Sequence, residues 1–289
     1  MAIERAELQR TLAVLAFAVS IVINLYYLSG RGLPAGDDYP SSPAFRLDHT
    51  AFTPNVVFVV LFWTATYVSR IAYLHQLFAG PAESKEAAQR VVVPFITFDS
   101  LHFLWVLFLA HGHYVLAEIV VILNFATSVL QYLASRTTSL SPLAKWLTIH
   151  LGASAFPLAW TLFAVLWTGA VAVHSQSIFS RVLANILIWS LLVFPSLVLV
   201  LFADFSFGFA SAFLTWGLAV SQVLDKVFGL QWIFAVIIAA IVTVESAILL
   251  FAGGAIRLGS RSAQAIDDVL QNVRVEDAQE REPLVVSEH

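Results

Sequence analysis

Cysteine is absent from the 289 residues, which excludes disulfides, thiolate metal centres, a cysteine nucleophile and S-palmitoylation. Charge is scarce as well. Asp, Glu, Lys and Arg make up 12% of the chain, about half the roughly 25% that a soluble domain carries, so no globular surface can be dressed in water. The 15 Lys and Arg stand against 19 Asp and Glu, a dispersed net charge of −4, and a nucleic-acid partner is excluded with them. A P-loop, a dinucleotide glycine pattern and HxxHH histidine boxes are also missing.

What the chain has is apolar length. Hydrophobic residues reach 59% and aromatics 13%, and the mean hydropathy is +0.83. About 20 apolar residues in a helix cross a hydrocarbon core of ~30 Å. Eight such runs occur, at Thr11–Ser29, Asn55–Ala79, Val91–Ala110, Tyr114–Ala134, Trp146–Val173, Val182–Ala203, Phe207–Val227 and Leu230–Ala252. The expected fold is therefore all-α, a polytopic transmembrane helical bundle of eight spans, with seven as the alternative count. The bundle takes residues 1–254, and residues 255–289 form a cytosolic tail. Short turns at His111-Gly112-His113 and around Asp204 predict two tight antiparallel hairpins. Pro94, Pro157 and Pro195 fall inside spans and predict kinks, because each removes a backbone donor.

Positive charge sets the orientation, since short cytosolic loops retain Lys and Arg. Eight spans put Arg5, Arg10, Lys85, Arg90, Arg136, Lys145, Arg257, Arg261, Arg274 and Arg281 on the side of both termini, against Arg31, Arg46, Arg181 and Lys226 opposite. Both termini are thus expected in the cytosol of an endomembrane or plasma-membrane protein, with the lipid bilayer as partner. The Gly-, Pro- and Asp-rich loop over residues 30–54 becomes an irregular non-cytosolic cap. Beyond Gly253-Gly254, Ile266, Leu270 and Val273 predict a short amphipathic helix, and the acidic stretch after Val275 predicts disorder. Tyr26, Tyr27, Trp146 and Trp232 read as interface anchors.

Ionisable groups at membrane depth are costly and need partners or a wet cavity. Arg70 lies nine residues before the end of the second span, and Asp99 nine residues after Arg90. Both then sit ~13 Å deep at ~1.5 Å per residue. They are expected to pair as antiparallel neighbours. Glu245, His75 and His150 lie in the same half, so one cytosol-facing polar cavity is expected to collect all five. His102 shares a helix face with Asp99. The ligand-binding set is therefore Arg70, Asp99, His102 and Glu245, with no catalytic residue, no metal and no cofactor assigned. His111, His113 and Glu118 could hold Zn²⁺, although an interfacial turn tolerates histidines freely. Asn24, Asn124 and Asn185 predict interhelical hydrogen bonds, and Gly208, Ser211, Ala212 and Thr215 a close-packing face.

Gly152-Ala153-Ser154-Ala155 resembles a rhomboid nucleophile motif, but after Ser154 only His174 and His289 follow, both outside the membrane core. A retinal Schiff base is excluded because Lys226 precedes the last span. Blocks at 52–78 (FTPNVVFVVLFWTATYVSRIAYLHQLF), 101–125 (LHFLWVLFLAHGHYVLAEIVVILNF), 157–174, 181–194 and 230–235 resemble an uncharacterised family of multi-spanning fungal membrane proteins, a domain of unknown function. That resemblance implies a fungal membrane protein of about this span number and transfers no catalytic residue. Thr53-Pro54 through Trp63 is also similar to the span entry of tryptophan-rich sensory proteins. The expected function is a transporter, small-ligand sensor or membrane scaffold acting on a small-molecule or lipid ligand without chemistry. The alternative is a membrane-embedded lipid-modifying enzyme, which needs Asp99, His102 and His111 or His113 to converge.

Overall fold

A computed structural model of the chain describes residues 2–28, 50–135, 137, 145–173, 177–225 and 230–252. The chain forms two compact units, Met1–Ser246 and Ala247–His289, and of the second only 247–252 is described. The tail, its amphipathic segment and most of the 30–54 loop therefore lie outside the described residues. No strand occurs among the described residues.

The helices are α1 (Ala2–Leu28), α2 (Val56–Ala79), α3 (Ala82–Arg90), α4 (Val92–Ala110) and α5 (Tyr114–Ser135). A π-helical stretch, Trp146–Ala155, runs directly into α6 (Phe156–Val173), and α7 (Ile178–Leu187), α8 (Ser190–Phe202) and α9 (Phe205–Asp225) follow. The last is α10 (Gln231–Ala252). With π-helix plus α6 as one span and α7 plus α8 as another, 8 helices among the described residues are long and apolar enough to cross a membrane. Their outer faces carry exposed Val60, Val68, Ile71, Leu130 and Val200. Such a belt is compatible with contact with hydrocarbon.

Helix α1 extends through Glu4, Arg5, Glu7 and Arg10, which hydropathy alone leaves out, because a helix need not stop where the hydrocarbon does. The wide π-turns have a covalent cause. Pro157 has no N–H, and its ring displaces the carbonyl one turn back, so the backbone before it widens rather than closing regular α-turns. Gly152 in this stretch lets α2 come very near, since a Cβ there would meet the Ser69 carbonyl at 2.6 Å. On α9, Gly208 packs against Leu199 and Ser246, with Ser211, Ala212 and Thr215 buried beside it, so the small-residue face packs closely as expected.

Both short turns make hairpins, α4 on α5 and α8 on α9. The second is only two residues long and is enabled by Ala203, which takes the left-handed conformation at φ 50°. The short α3 is amphipathic and caps one end of the bundle. Tyr73 of α2 donates to its Ala88 carbonyl at 2.9 Å, Gln89 bonds to Gln9 and Arg10 of α1, and Glu83 pairs with Lys145 at 2.6 Å. At the opposite end, Gln222 donates to the carbonyls of Thr50 and Ala51, both at 3.1 Å, burying the last residues of the 30–54 segment.

Candidate functional site

Arg70 and Asp99 meet, with Nη2 donating to Oδ2 at 2.6 Å and each residue 1% exposed. They are not close-packed neighbours. Helix α2 packs mainly on the π-helix, and α4 mainly on α5 and α1, so the long Arg70 side chain bridges helices whose backbones stand apart. Aromatic rings fill the gap. The guanidinium lies 4.1 Å from the Phe95 ring centroid, 4.8 Å from Phe98 and 5.8 Å from Phe17, and Phe95 stacks on Tyr73. A weakly hydrated, delocalised cation suits such faces, and lysine would not replace it.

The pair leaves donors over. Buried Nε and Nη1 of Arg70 make no hydrogen bond. The Ser20 and Tyr67 hydroxyls also complete none of good geometry, although Asp99 and Asn24 are their polar neighbours. One helix seals this layer. Ala13, Phe17, Ser20 and Ile23 form the buried stripe of α1, while Val14, Leu15, Val19 and Val22 of the same helix are exposed. His102 joins the layer through Asn24 of α1, with Nε2 at 3.1 Å from Nδ2, rather than through Asp99. Its ring sits among Trp63, Phe98 and Trp105, and Trp105 donates to Thr168 at 3.0 Å.

The single cavity expected for five polar residues divides into four places. Glu245 stands apart, accepting from Ser196 of α8 at 2.7 Å. His75 is exposed. His150 belongs to a second buried network around Asp204, which is 2% exposed. Oδ2 of Asp204 accepts from the Tyr132 hydroxyl at 2.6 Å and faces His150 Nε2 at 2.9 Å. Oδ1 accepts the Ser206 hydroxyl and the amides of Ser206 and Phe207, which makes Asp204 the N-terminal cap of α9. The other ring nitrogen of His150, Nδ1, is 2.8 Å from the Thr137 hydroxyl, which in turn meets Ser154 at 3.0 Å. Burial alone would raise the Asp204 carboxyl, but His150, Ser206 and Tyr132 outweigh it and bring it down to about 2. The cluster has the hydroxyl, imidazole, carboxylate order of a nucleophile relay.

Sequence reasoning passed over this network because an aspartate in a two-residue turn looks solvated. Its signal was the cap, Asp204 immediately ahead of the helical Phe205-Ser206-Phe207. Trp146 is corrected too. It is 3% exposed and stacks on His150, so it is an inner wall rather than an interface anchor, whereas Tyr26 and Trp232 are exposed.

The residues asked of a lipid-modifying enzyme do not converge. His111 is at the exposed far end of α4, bonding back to the Leu107 carbonyl, away from Asp99 and His102, and Glu118, named with it only as a zinc candidate, lies against Gly169. Among the described residues no group of three His, Asp or Glu side chains could hold a metal ion. Of the asparagines, Asn124 bonds across helices to the Phe98 carbonyl at 3.4 Å, while Asn185 Oδ1 is without a hydrogen bond.

Comparison with known proteins adds a partial likeness but no activity. An uncharacterised protein of Schizosaccharomyces pombe is 32% identical over 89 residues, 31% of this chain and 33% of that protein. The match thus spans about a third of that relative's length. No solved structure matches the chain. Residues 181–285, which include Asp204 and Glu245 but neither Arg70 nor Asp99, match the family described as a fungal protein of unknown function (DUF1774), and through that segment the chain is similar to an uncharacterised fungal family.

Proposed function

We propose that the chain is a multi-pass membrane protein that binds a small polar ligand without chemistry, as a transporter or sensor, in the layer that α1 seals over Arg70, Asp99, Asn24 and His102. One observation carries this reading. Two donors of a buried arginine are without acceptors, next to the Ser20 and Tyr67 hydroxyls, which approach Asp99 and Asn24 without good geometry. A buried unsatisfied donor costs about 1–3 kcal/mol, so a cluster of them gains from a ligand rich in acceptors. Helix α1 is the gate of this reading, because it is held by a single stripe and covers the layer from the lipid side. Glu245 lies outside the site.

The absence of cysteine makes the test clean. Ser20→Cys, on the buried stripe, should react with a water-soluble methanethiosulfonate about tenfold faster than Val19→Cys, which faces lipid where no thiolate forms. Equal inertness of the two positions would leave α1 a permanent wall and remove the gate.

Both termini are proposed to be cytosolic, supported by the ten-to-four charge asymmetry. Tags at the two termini should share one protease-protection pattern in sealed membranes. Opposite protection would defeat the orientation and the even span count together.

The rival reading, a lipid-modifying enzyme, is favoured by a different set from the one that sequence suggests, namely Thr137, His150 and Asp204. Against it, every oxygen of Asp204 is engaged and the carboxylate already serves as a helix cap.

A further inference from the structure

Between α2, the π-helix and α9 runs a groove of about 480 Å³. It is walled by Leu61 and Ala65 of α2, Leu147 and Leu151 of the π-helix, and Phe209 and Phe213 of α9. Leu61, Ala65 and Leu147 are exposed on the outer face, so the groove opens sideways. It also runs along the helices. Phe205 and Phe213 both line it and are eight residues apart on α9, about 12 Å at 1.5 Å per residue, against roughly 15 Å for half a hydrocarbon core of ~30 Å. Phe205 directly follows the Ala203-Asp204 turn, so the groove starts at the membrane boundary and ends near the midplane.

We infer that this groove holds one acyl chain of a glycerophospholipid from the leaflet on the Asp204 side. The inference uses the bilayer-spanning part of the reading above and is independent of the Arg70 layer. Its length and direction are those of a chain in one leaflet, and its side opening lets the chain enter without leaving hydrocarbon. The polar groups at its mouth decide the class of lipid. Ser206 lines the groove, but its hydroxyl proton is committed to Asp204, and the nearby Lys145 is paired with Glu83. A sterol hydroxyl or a fatty-acid carboxylate would find one donor in the lining, the Trp146 indole N–H, and no cation. A glycerophospholipid needs neither, because its headgroup stays in water and the slot receives hydrocarbon alone. The π-helix shapes the wall, since Leu147, Leu151 and Phe156, spaced by four and five residues, all line the groove. At Gly152 the same stretch is drawn against α2, which fixes the groove's inner edge.

The test reconstitutes the full chain in phosphatidylcholine nanodiscs containing a trace of a phosphatidylcholine with a diazirine in its acyl chain, and maps photoadducts by peptide mass spectrometry. Adducts are expected to concentrate on Leu147, Phe209 and Phe213 rather than on Val200 and Leu201, which are more exposed on an outer face. Ala65→Trp fills the groove from its exposed rim, and should lower the groove adducts about tenfold while leaving those at Val200 and Leu201 unchanged. The unchanged adducts also show that the variant has folded. An even spread over the outer faces, or groove adducts indifferent to Ala65→Trp, would overturn the inference. So would groove labelling by a diazirine sterol or fatty acid in place of the phospholipid. No acyl adduct anywhere on the chain would overturn the bilayer-spanning reading itself, and the groove occupant with it.

Discussion

Arg70→Leu is expected to destabilise the folded bundle by about 3–5 kcal/mol, because it strands the buried Asp99 carboxylate and removes a guanidinium from three aromatic faces. Asp99→Leu should cost a similar amount by stranding the cation. The double substitution should recover much of the loss, since neither charge is then left alone in an apolar interior. Thermal unfolding in detergent reads all three. Strictly additive single losses would mean that the 2.6 Å contact carries no coupling. The double variant also separates the readings of this site. Restored stability with normal cellular behaviour would leave the pair as an interhelical strut. Restored stability with lost behaviour would mark the layer under α1 as the place where the protein acts.

Asp204→Ala should be comparably damaging, about 3–5 kcal/mol, because it removes a cap and leaves Tyr132 and His150 facing an emptied acceptor site. Asp204→Asn keeps the cap and the shape but not the charge, and should cost less. The carboxyl titrates near 2 in the folded chain, below its ordinary 3.8. Its contribution is therefore present in full above about pH 4 and is lost as pH falls toward 2. The stability gap between the parent chain and Asp204→Ala should narrow as pH falls through that acid window, by the part that the carboxylate charge contributes. A gap that already closes at pH 6 would show that the carboxylate is not the group being stabilised. Thr137→Ala completes the comparison, for it spares the cap. Intact stability with abolished cellular behaviour would favour the enzyme reading over the structural one.

The spans were legible because hydropathy is a one-dimensional property, and 20-residue runs leave little freedom in lipid. Arg70 and Asp99 were legible for the related reason that depth is countable along a helix from its end. Lateral position is not countable. Nothing in the spacing says that α2 leans on the π-helix instead of α4, that His150 turns toward a residue 54 positions later, or that Glu245 finds Ser196. These depend on which faces of apolar helices meet, and a helix apolar all round carries no stripe to say so. The π-helix hid for the same reason, with Pro157 as its visible cause. Asp204 hid because turns between spans are assumed to be wet.

The order in which partners leave the ribosome differs between the two buried networks. Asp204 is made 72 residues after Tyr132 and 54 after His150, so it enters a membrane where both its partners already wait. Arg70 is made 29 residues before Asp99, a delay of roughly 1.5–6 s at 5–20 residues per second. During that interval α2 carries an unneutralised cation near its middle and has no reason to leave the insertion machinery for lipid. Release of α2 should therefore wait for α4, with α3 held at the membrane surface between them, so that the second and third spans enter the bilayer as one electrically neutral unit.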